Sequence, residues 1–464
     1  MPRGAMGSFE PSPALFTDLY ELTMAQAYWT AGVTGPATFS MYFRKLPYGR
    51  GYLVAAGLES VLGYLERFRF TDGDLAYLRS LSRFEEPFLA FLADVRFMGS
   101  VRAMPEGTVF FPDEPVLEVT SSVIEAQLVE TFVVNQVHLQ TVLATKAARV
   151  RTAARDRHVI DFGARRCHGT EAANLAARAG YLVGFDGTSN TMAAALYEID
   201  LFGTMAHSFV CAFPSEIDAF RGYANTFPDA AALLVDTYDT VEGVRKALAV
   251  ATELRRQGHE VRAVRLDSGD LLALSRAARR MADAAGFPAL QVFVSGGLDE
   301  YEVDALVRAG APIDAFGVGT RVGVSADAPC ADCAYKLVEY AGRPVLKLSA
   351  KKQTLPGPKQ VFRRHGPDGR MLYDVVARAA EAPPGDTRPL LVDVMGGGRR
   401  VGPHVPLAES RLRCRTEVAN LPDRHKALES PAPFEVRFSE KLARLTREVV
   451  SETRRRELPG AEAR

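Results

Sequence analysis

Downstream of Arg155 the chain repeats one hydrophobic pattern: a short apolar run, a polar turn, then apolar positions at helical spacing. The runs are VIDF (159–162), YLVGF (181–185), a stretch near 204–212, ALLVD (232–236), VRAVRL (261–266), LQVFVS (290–295) and IDAFGVG (313–319). Each has the length of a buried strand, and the repeat of roughly 23 to 30 residues is that of a βα unit. About seven such units in succession, with no antiparallel interruption, predict a parallel barrel or a doubly wound sheet. Nearly every run ends in a polar cluster: Asp161 with Arg165, Gly187-Thr188-Ser189-Asn190, Thr204 with His207, Asp236, Arg265-Leu266-Asp267-Ser268-Gly269-Asp270, Ser295-Gly296-Gly297 and Gly317-Val318-Gly319-Thr320. A barrel gathers all its strand C-termini around one mouth, whereas an open sheet gathers only those near its switch point, so polar endings throughout favour the barrel. The last two clusters match the tendency of loops after the final barrel strands to bind phosphate.

Outside this region the texture differs. Residues 15–31 have helical spacing, opened by Thr17 or Asp18 as cap with Tyr20 in the first turn. Strand-like ATFSMYF (37–43), helical patterns over 52–68, 72–81 and 84–93, and a proline-bearing β-rich piece (101–121) complete a small α+β domain. From Ser122 to about Arg155 no glycine or proline interrupts a long helical pattern, which links the two domains; His138 on it reads as a packed helix residue rather than a ligand. Beyond 334, short strands with basic turns are expected to return to the first domain's sheet, and EAPPGDTRP (381–389) to form a flexible loop. The expected division is therefore an α+β domain over 1–135 completed by about 335–440, a barrel over 136–334 carrying the site, and a C-terminal helix with a frayed tail over 441–464.

Composition sharpens this picture. The 464 residues are 47% hydrophobic and 24% charged, and Lys+Arg and Asp+Glu are equal at 56 each, so nothing advertises nucleic acid or an acidic membrane surface. Any anion site must be local. Five cysteines in so long a chain point to reduced thiols in a cytoplasm. Cys330 and Cys333 have the spacing of a metal knuckle, but no second Cys/His pair lies near, so zinc is not expected. The N-terminus lacks the apolar core of a signal peptide, and no apolar run reaches the roughly 18 residues of a membrane span.

The turns between 161 and 207 carry the first chemistry. Helical patterns follow the first two, so backbone N–H groups face an anion there, and Arg165-Arg166, the Gly-Thr-Ser-Asn turn and His207 suit a phosphorylated substrate. Taken singly, an Arg pair is a solvated surface feature and a Gly-Thr-Ser turn a helix cap. Asp267 and Asp270 flank Ser268-Gly269 at a strand end, a spacing that holds ribose hydroxyls or Mg²⁺; capping of the helix near Leu271 accounts for one of them. An arginine, two acids, a histidine and two glycine loops suit a sugar bearing phosphate and pyrophosphate.

In this order, the motifs TDLYELTMAQAY, DFGARR, FDGTSN, GTMAHSFV, LLVDTYDT, RLDSGD, VSGGLDE, FGVGT and LKLSAKKQTLPGPKQVFR resemble nicotinate phosphoribosyltransferase over nearly the whole chain. The resemblance implies a type II phosphoribosyltransferase fold, an irregular parallel α/β barrel plus a discontinuous α+β domain. It also implies a homodimer with shared sites. Nicotinate and phosphoribosyl pyrophosphate would give nicotinate mononucleotide and pyrophosphate, coupled to ATP hydrolysis with Mg²⁺. Carried onto the matching positions, Tyr20 and Phe162 sandwich the pyridine ring, Tyr20 across the dimer. Arg265 and Thr204 meet the carboxylate. Arg165, Ser295, Gly296, Gly297, Gly319 and Thr320 bind phosphate and pyrophosphate, and Asp267 binds ribose. His207 resembles the family's phosphorylated histidine, with Asp236 as the candidate for fixing its tautomer. LLVDTYDT lacks the paired adjacent acids and Thr-Gly of the other phosphoribosyltransferase class. The roles of Lys351, Lys352 and Lys359 in the last motif stay open.

Three other readings compete. Nicotinamide phosphoribosyltransferases resemble this chain but have GTD where it has Gly187-Thr188-Ser189, and an acid there would repel nicotinate. A decarboxylating quinolinate enzyme is shorter and lacks the GTMAH motif. A non-catalytic relative is disfavoured because every candidate position is occupied.

Overall fold

The computed structural model describes residues 10–348 and 354–458; Lys351, Lys352 and the expected frayed end from 459 lie outside the described residues. Two compact units emerge, 1–141 with 330–464, and 142–329. Their boundaries fall a few residues from the expected ones, and the first lies inside a continuous helix, Glu130–Ala154. The expected linking helix is in fact two, because Val123–Leu128 ends before this one starts. The C-terminal helix Glu440–Glu457 is no separate segment: Leu442 is fully buried in the first unit's core.

The second unit is built on six parallel strands in the order Gly187–Thr188, His158–Asp161, Ala315–Val318, Gln291–Val294, Ala263–Leu266, Ala232–Leu234. In-register pairs such as Val294 with Leu266 and Val318 with Asp161 align their C-terminal ends along one edge of a curled sheet. The interior runs are buried and β-branched, as a sheet covered by helices requires.

Two expected strands are absent. YLVGF is the end of helix Thr170–Leu182 rather than a strand. Gly184, at φ +111°, closes the helix, with Phe185 N–H donating to Gly180 O at 2.9 Å, so the apolar run is a buried helix terminus. The strand there is the two-residue Gly187–Thr188. The stretch near 204–212 supplies no strand either: Leu201 makes one parallel bridge to Thr188, and His207–Cys211 is a helical turn.

In the first unit, Pro36–Phe43 pairs antiparallel with Pro115–Ser122 on one side and Cys333–Tyr340 on the other, within a seven-stranded sheet. Lys359–His365 and Met371–Arg378 instead form a second sheet, which Thr387–Pro389 joins, so the expected loop over 381–389 ends as an edge strand. Arg363 is fully buried there, forked onto Asp374 at 2.9 and 2.6 Å with Glu417 at 2.6 Å, so the buried charge is paired on both sides. Lys359 is also buried, donating to Gly357 O at 2.6 Å, with Glu118 at 3.6 Å. His138 accepts the Ala331 N–H at 2.9 Å. Cys333 pairs with Phe43 in the sheet, and no group of three or more potential metal ligands exists among the described residues.

Candidate active site

The site is a set of side chains at the C-terminal edge of the parallel sheet. Its centre is Arg265, on Ala263–Leu266. Its Nε donates to Ser295 Oγ at 2.9 Å, Nη1 to Thr204 Oγ1 at 2.9 Å and Met205 O at 3.3 Å, and Nη2 to Asp267 Oδ1 at 2.9 Å. These bonds use four of the five guanidinium N–H groups, so the fork is rigid with one Nη2 hydrogen left. The guanidinium lies 5.4 Å from the Phe162 ring centroid, and that ring is 5.4 Å from Phe293. Ser295 also donates to Asp267 in a short bond. Burial works to raise the Asp267 carboxyl, but the Ser295 hydroxyl, Arg265 and His207 together hold it below the usual carboxylate range.

Asp267 and Asp270, three positions apart in sequence, do different work. Asp270 caps helix Leu271–Ala284 through Ala273 N–H at 3.0 Å, whereas Asp267 belongs to the arginine network. Asp236 accepts the Asp267 N–H at 3.1 Å and the Ser268 hydroxyl at 2.5 Å; its Oδ1 is buried with no partner among the described residues. His207 was expected to be oriented by Asp236. Its Nδ1 instead lies 3.2 Å from Thr237 Oγ1, because Asp236 is turned onto the Asp267–Ser268 turn. Thr237 escaped the sequence reading; its only signal was its place beside Asp236 at a strand end.

Close packing dictates the glycines. A Cβ on Gly296, at φ +103°, would sit 2.0 Å from Asp267 O, one on Gly317 2.8 Å from the Phe162 ring, and one on Gly319 2.9 Å from Phe162 O. Phe162 therefore rests directly on the GVG turn. Asp161 ties this turn to the next: buried, it accepts Gly163 N–H at 2.9 Å and Thr188 Oγ1 at 2.7 Å, and burial raises its carboxyl. Arg165, Gly297, Thr320 and Ser189 are exposed at this edge, free to meet a ligand.

Tyr20 stands on the first unit, in the opening turn of Leu19–Thr30. Asp18 is that helix's N-cap but its side chain makes no capping bond, and Thr17 reaches Glu21 instead. Burial raises the Tyr20 phenol, with Glu130 and Glu21 adding to the effect. Glu21 is fully buried, and burial pushes it up to about 7 from an ordinary 4.5. Thr131 Oγ1 lies 2.8 Å from Asp18 Oδ2 and 2.7 Å from Glu21 Oε1. Hydrogen bonds from Thr131 and Thr17 favour the charged carboxylate, and burial outweighs them.

A carboxyl more basic in the folded than in the unfolded chain stabilises fully below pH 4.5, and that contribution fades as pH rises to about 7. We expect unfolding free energy to fall across that window by on the order of 3 kcal/mol from this group. Glu21→Gln, which keeps a neutral donor, should flatten the slope in denaturant titrations at pH 5 and 7.5. Parallel wild-type and variant profiles would exclude a protonated Glu21.

Comparison with known proteins places this geometry. Models of the nicotinate phosphoribosyltransferase N-terminal domain, family and C-terminal domain match residues 15–138, 157–354 and 382–446. A nicotinate phosphoribosyltransferase of Mycobacterium tuberculosis is 52% identical over 438 residues, 93% of this chain and 94% of that protein. One from Bacillus subtilis is 43% identical over 365 residues, 77% and 74% of the two chains. The crystal structure of human nicotinic acid phosphoribosyltransferase superposes with a TM-score of 0.85 at 31% identity, covering 93% of this chain and 99% of that one.

Proposed function

The chain belongs to the nicotinate phosphoribosyltransferase family, and from that premise we propose how its residues carry the reaction. It is an enzyme of NAD biosynthesis with the type II phosphoribosyltransferase fold, and the family implies nicotinate and phosphoribosyl pyrophosphate as substrates.

In our reading, nicotinate lies with its ring on Phe162 and its carboxylate toward the remaining Nη2 hydrogen of Arg265, beside Thr204. The observation that carries this is the rigid guanidinium 5.4 Å from an aromatic face. Tyr20 of a second copy closes the other face of the ring in a homodimer. The exposed apolar side chains Phe16, Leu19 and Tyr20 support such a contact. Gly296, Gly297, Gly319, Thr320 and Arg165 hold phosphate and pyrophosphate, and Asp267 takes a ribose hydroxyl. Ser295, expected to bind the anion, has its hydroxyl engaged by Arg265 and Asp267 and its N–H donating to Leu266 O at 2.8 Å, so it positions those two side chains instead.

Departure of pyrophosphate leaves a ribosyl centre of oxocarbenium character. The chain's residues neutralise the leaving group and align the ring nitrogen; no covalent nucleophile to ribose is required. Mg²⁺, when bound, adds charge neutralisation on the pyrophosphate. The carboxylates at this edge, Asp267 and beside it Asp236, would be the protein groups to help hold it. His207, exposed at the same sheet edge, accepts a phosphoryl group from ATP, and its later hydrolysis couples ATP to turnover. Five free cysteines support a cytoplasmic setting, and among the described residues no helix is long and apolar enough to cross a membrane.

The test is turnover of purified protein with phosphoribosyl pyrophosphate and Mg²⁺, offered nicotinate or nicotinamide with and without ATP. We expect nicotinate mononucleotide with an ATP-dependent gain. Preference for nicotinamide would overturn the Arg265 assignment, and equal rates with and without ATP would remove the coupling.

A further inference from the structure

We propose that Arg321 is a positioning residue for phosphoribosyl pyrophosphate: through Asp299 and Glu302 it holds together the two glycine loops that cradle phosphate and pyrophosphate, an inference that rests on the loop assignment given above. The loops follow neighbouring strands, yet each is anchored on its far side. Gly296 is packed against Asp267 O, and Ser295 N–H donates to Leu266 O at 2.8 Å, so the first loop belongs to the Arg265 side of the sheet. Gly317 and Gly319 pack on Phe162, whose N–H donates to Val318 O at 2.7 Å, so the second belongs to the Phe162 side. Between the two, strand pairing ends at Val294 with Phe316. Past that point Arg321 reaches across: its Nη1 donates to Asp299 Oδ2 at 2.6 Å and to Glu302 Oε1 at 2.8 Å.

The two ends of this clamp stand next to the glycines they place. Arg321 directly follows Thr320, in the helical turn Thr320–Gly323. Asp299, two residues beyond Gly297, is the N-cap of Glu300–Arg308: its carboxylate accepts Tyr301 N–H at 2.9 Å, and Glu302 closes a capping box on Asp299 N–H at 3.0 Å. The acids are thereby fixed by their own helix, and the guanidinium grips a rigid point. Burial works to raise the Asp299 carboxyl, while Glu302, Arg321 and the first helical N–H groups hold it down to about 2, so it stays charged at neutral pH. An isolated surface ion pair contributes little, but here two carboxylates share one Nη1 and the Asp299 side chain is only 11% exposed. Arg321 also neutralises negative charge that otherwise stands beside the site of a polyanion.

The test is steady-state turnover of the full-length protein with Mg²⁺ and ATP, varying each substrate in turn, alongside amide hydrogen exchange over 295–302 and 317–323. Arg321→Ala should raise KM for phosphoribosyl pyrophosphate about fivefold, change KM for nicotinate by less than about twofold, and speed exchange in both loops. Arg321→Lys, which restores the charge without the planar fork, should recover part of the change. Asp299→Asn combined with Glu302→Gln keeps the helix cap and removes both charges, and should raise the same KM about threefold. Added to that pair, Arg321→Ala should have no further effect, as for residues acting through one contact. A full added loss in the paired variant would mean that Arg321 meets the anion itself, and a fall in KM on removing the acids would reduce it to a charge screen; either result overturns the proposal. So does a parallel rise in KM for both substrates. In the wild type, phosphoribosyl pyrophosphate should slow exchange in both loops. If it does not, the loop assignment fails and this inference with it; if it does while Arg321→Ala leaves KM and exchange unchanged, the clamp alone fails.

Discussion

Arg265→Ala should lower kcat/KM for nicotinate by about a thousandfold, the effect of losing a charge-assisted contact together with the desolvated partner it leaves behind. The loss has two parts. One is recognition of the ring carboxylate. The other is structural, because Asp267 and Ser295 both lean on the guanidinium, and its removal frees the Asp267 carboxylate from its neighbour at 2.9 Å. Nicotinamide separates them, since it has the ring and lacks the charge. The ratio of nicotinate to nicotinamide turnover should fall by roughly two orders of magnitude, while the shared fall in both reports the structural part. Arg265→Lys keeps the charge but cannot reproduce a fork that reaches Ser295, Thr204 and Asp267 at once, so it should recover only part of the loss. An equal fall for both substrates would assign Arg265 to positioning alone.

How legible this site was depended on whether local chemistry or tertiary pairing decided each residue's partner. The strand ends at Arg265, Ser295 and Gly319 could be placed from sequence, because apolar runs stopping at glycine or acid have few other readings in a βα repeat. YLVGF could not: an apolar helix terminus closed by Gly184 has the same residue pattern as a short buried strand, and only the left-handed glycine separates them. Asp236 and Thr237 show a second limit. Adjacent residues leaving a strand face different neighbours, and the acid went to the Asp267–Ser268 turn, a long-range partner that no spacing encodes. Asp267 and Asp270 were separable in principle, since one cap suffices for one helix, but which of them was the cap depended on where the helix began.

His207→Ala should abolish the benefit of ATP. In the wild type, coupling through a transient phosphohistidine should raise kcat/KM by about 5- to 150-fold, the span of ordinary linkage between two sites. In the variant the rate with ATP should fall to, or below, the wild-type rate without it, and formation of ADP should cease. The two measurements answer different questions. A turnover defect alone would follow from any disturbance at the sheet edge, where His207 opens a short helix beside Thr204 and Met205. Loss of ADP formation follows only if the imidazole is the acceptor, because no other change in the variant removes a nucleophile. Should His207→Ala continue to release ADP in step with product, the phosphoryl group goes elsewhere, either directly to water or to a carboxylate. Asp236, with one buried oxygen unpartnered at this same edge, is then the residue whose substitution separates those two routes.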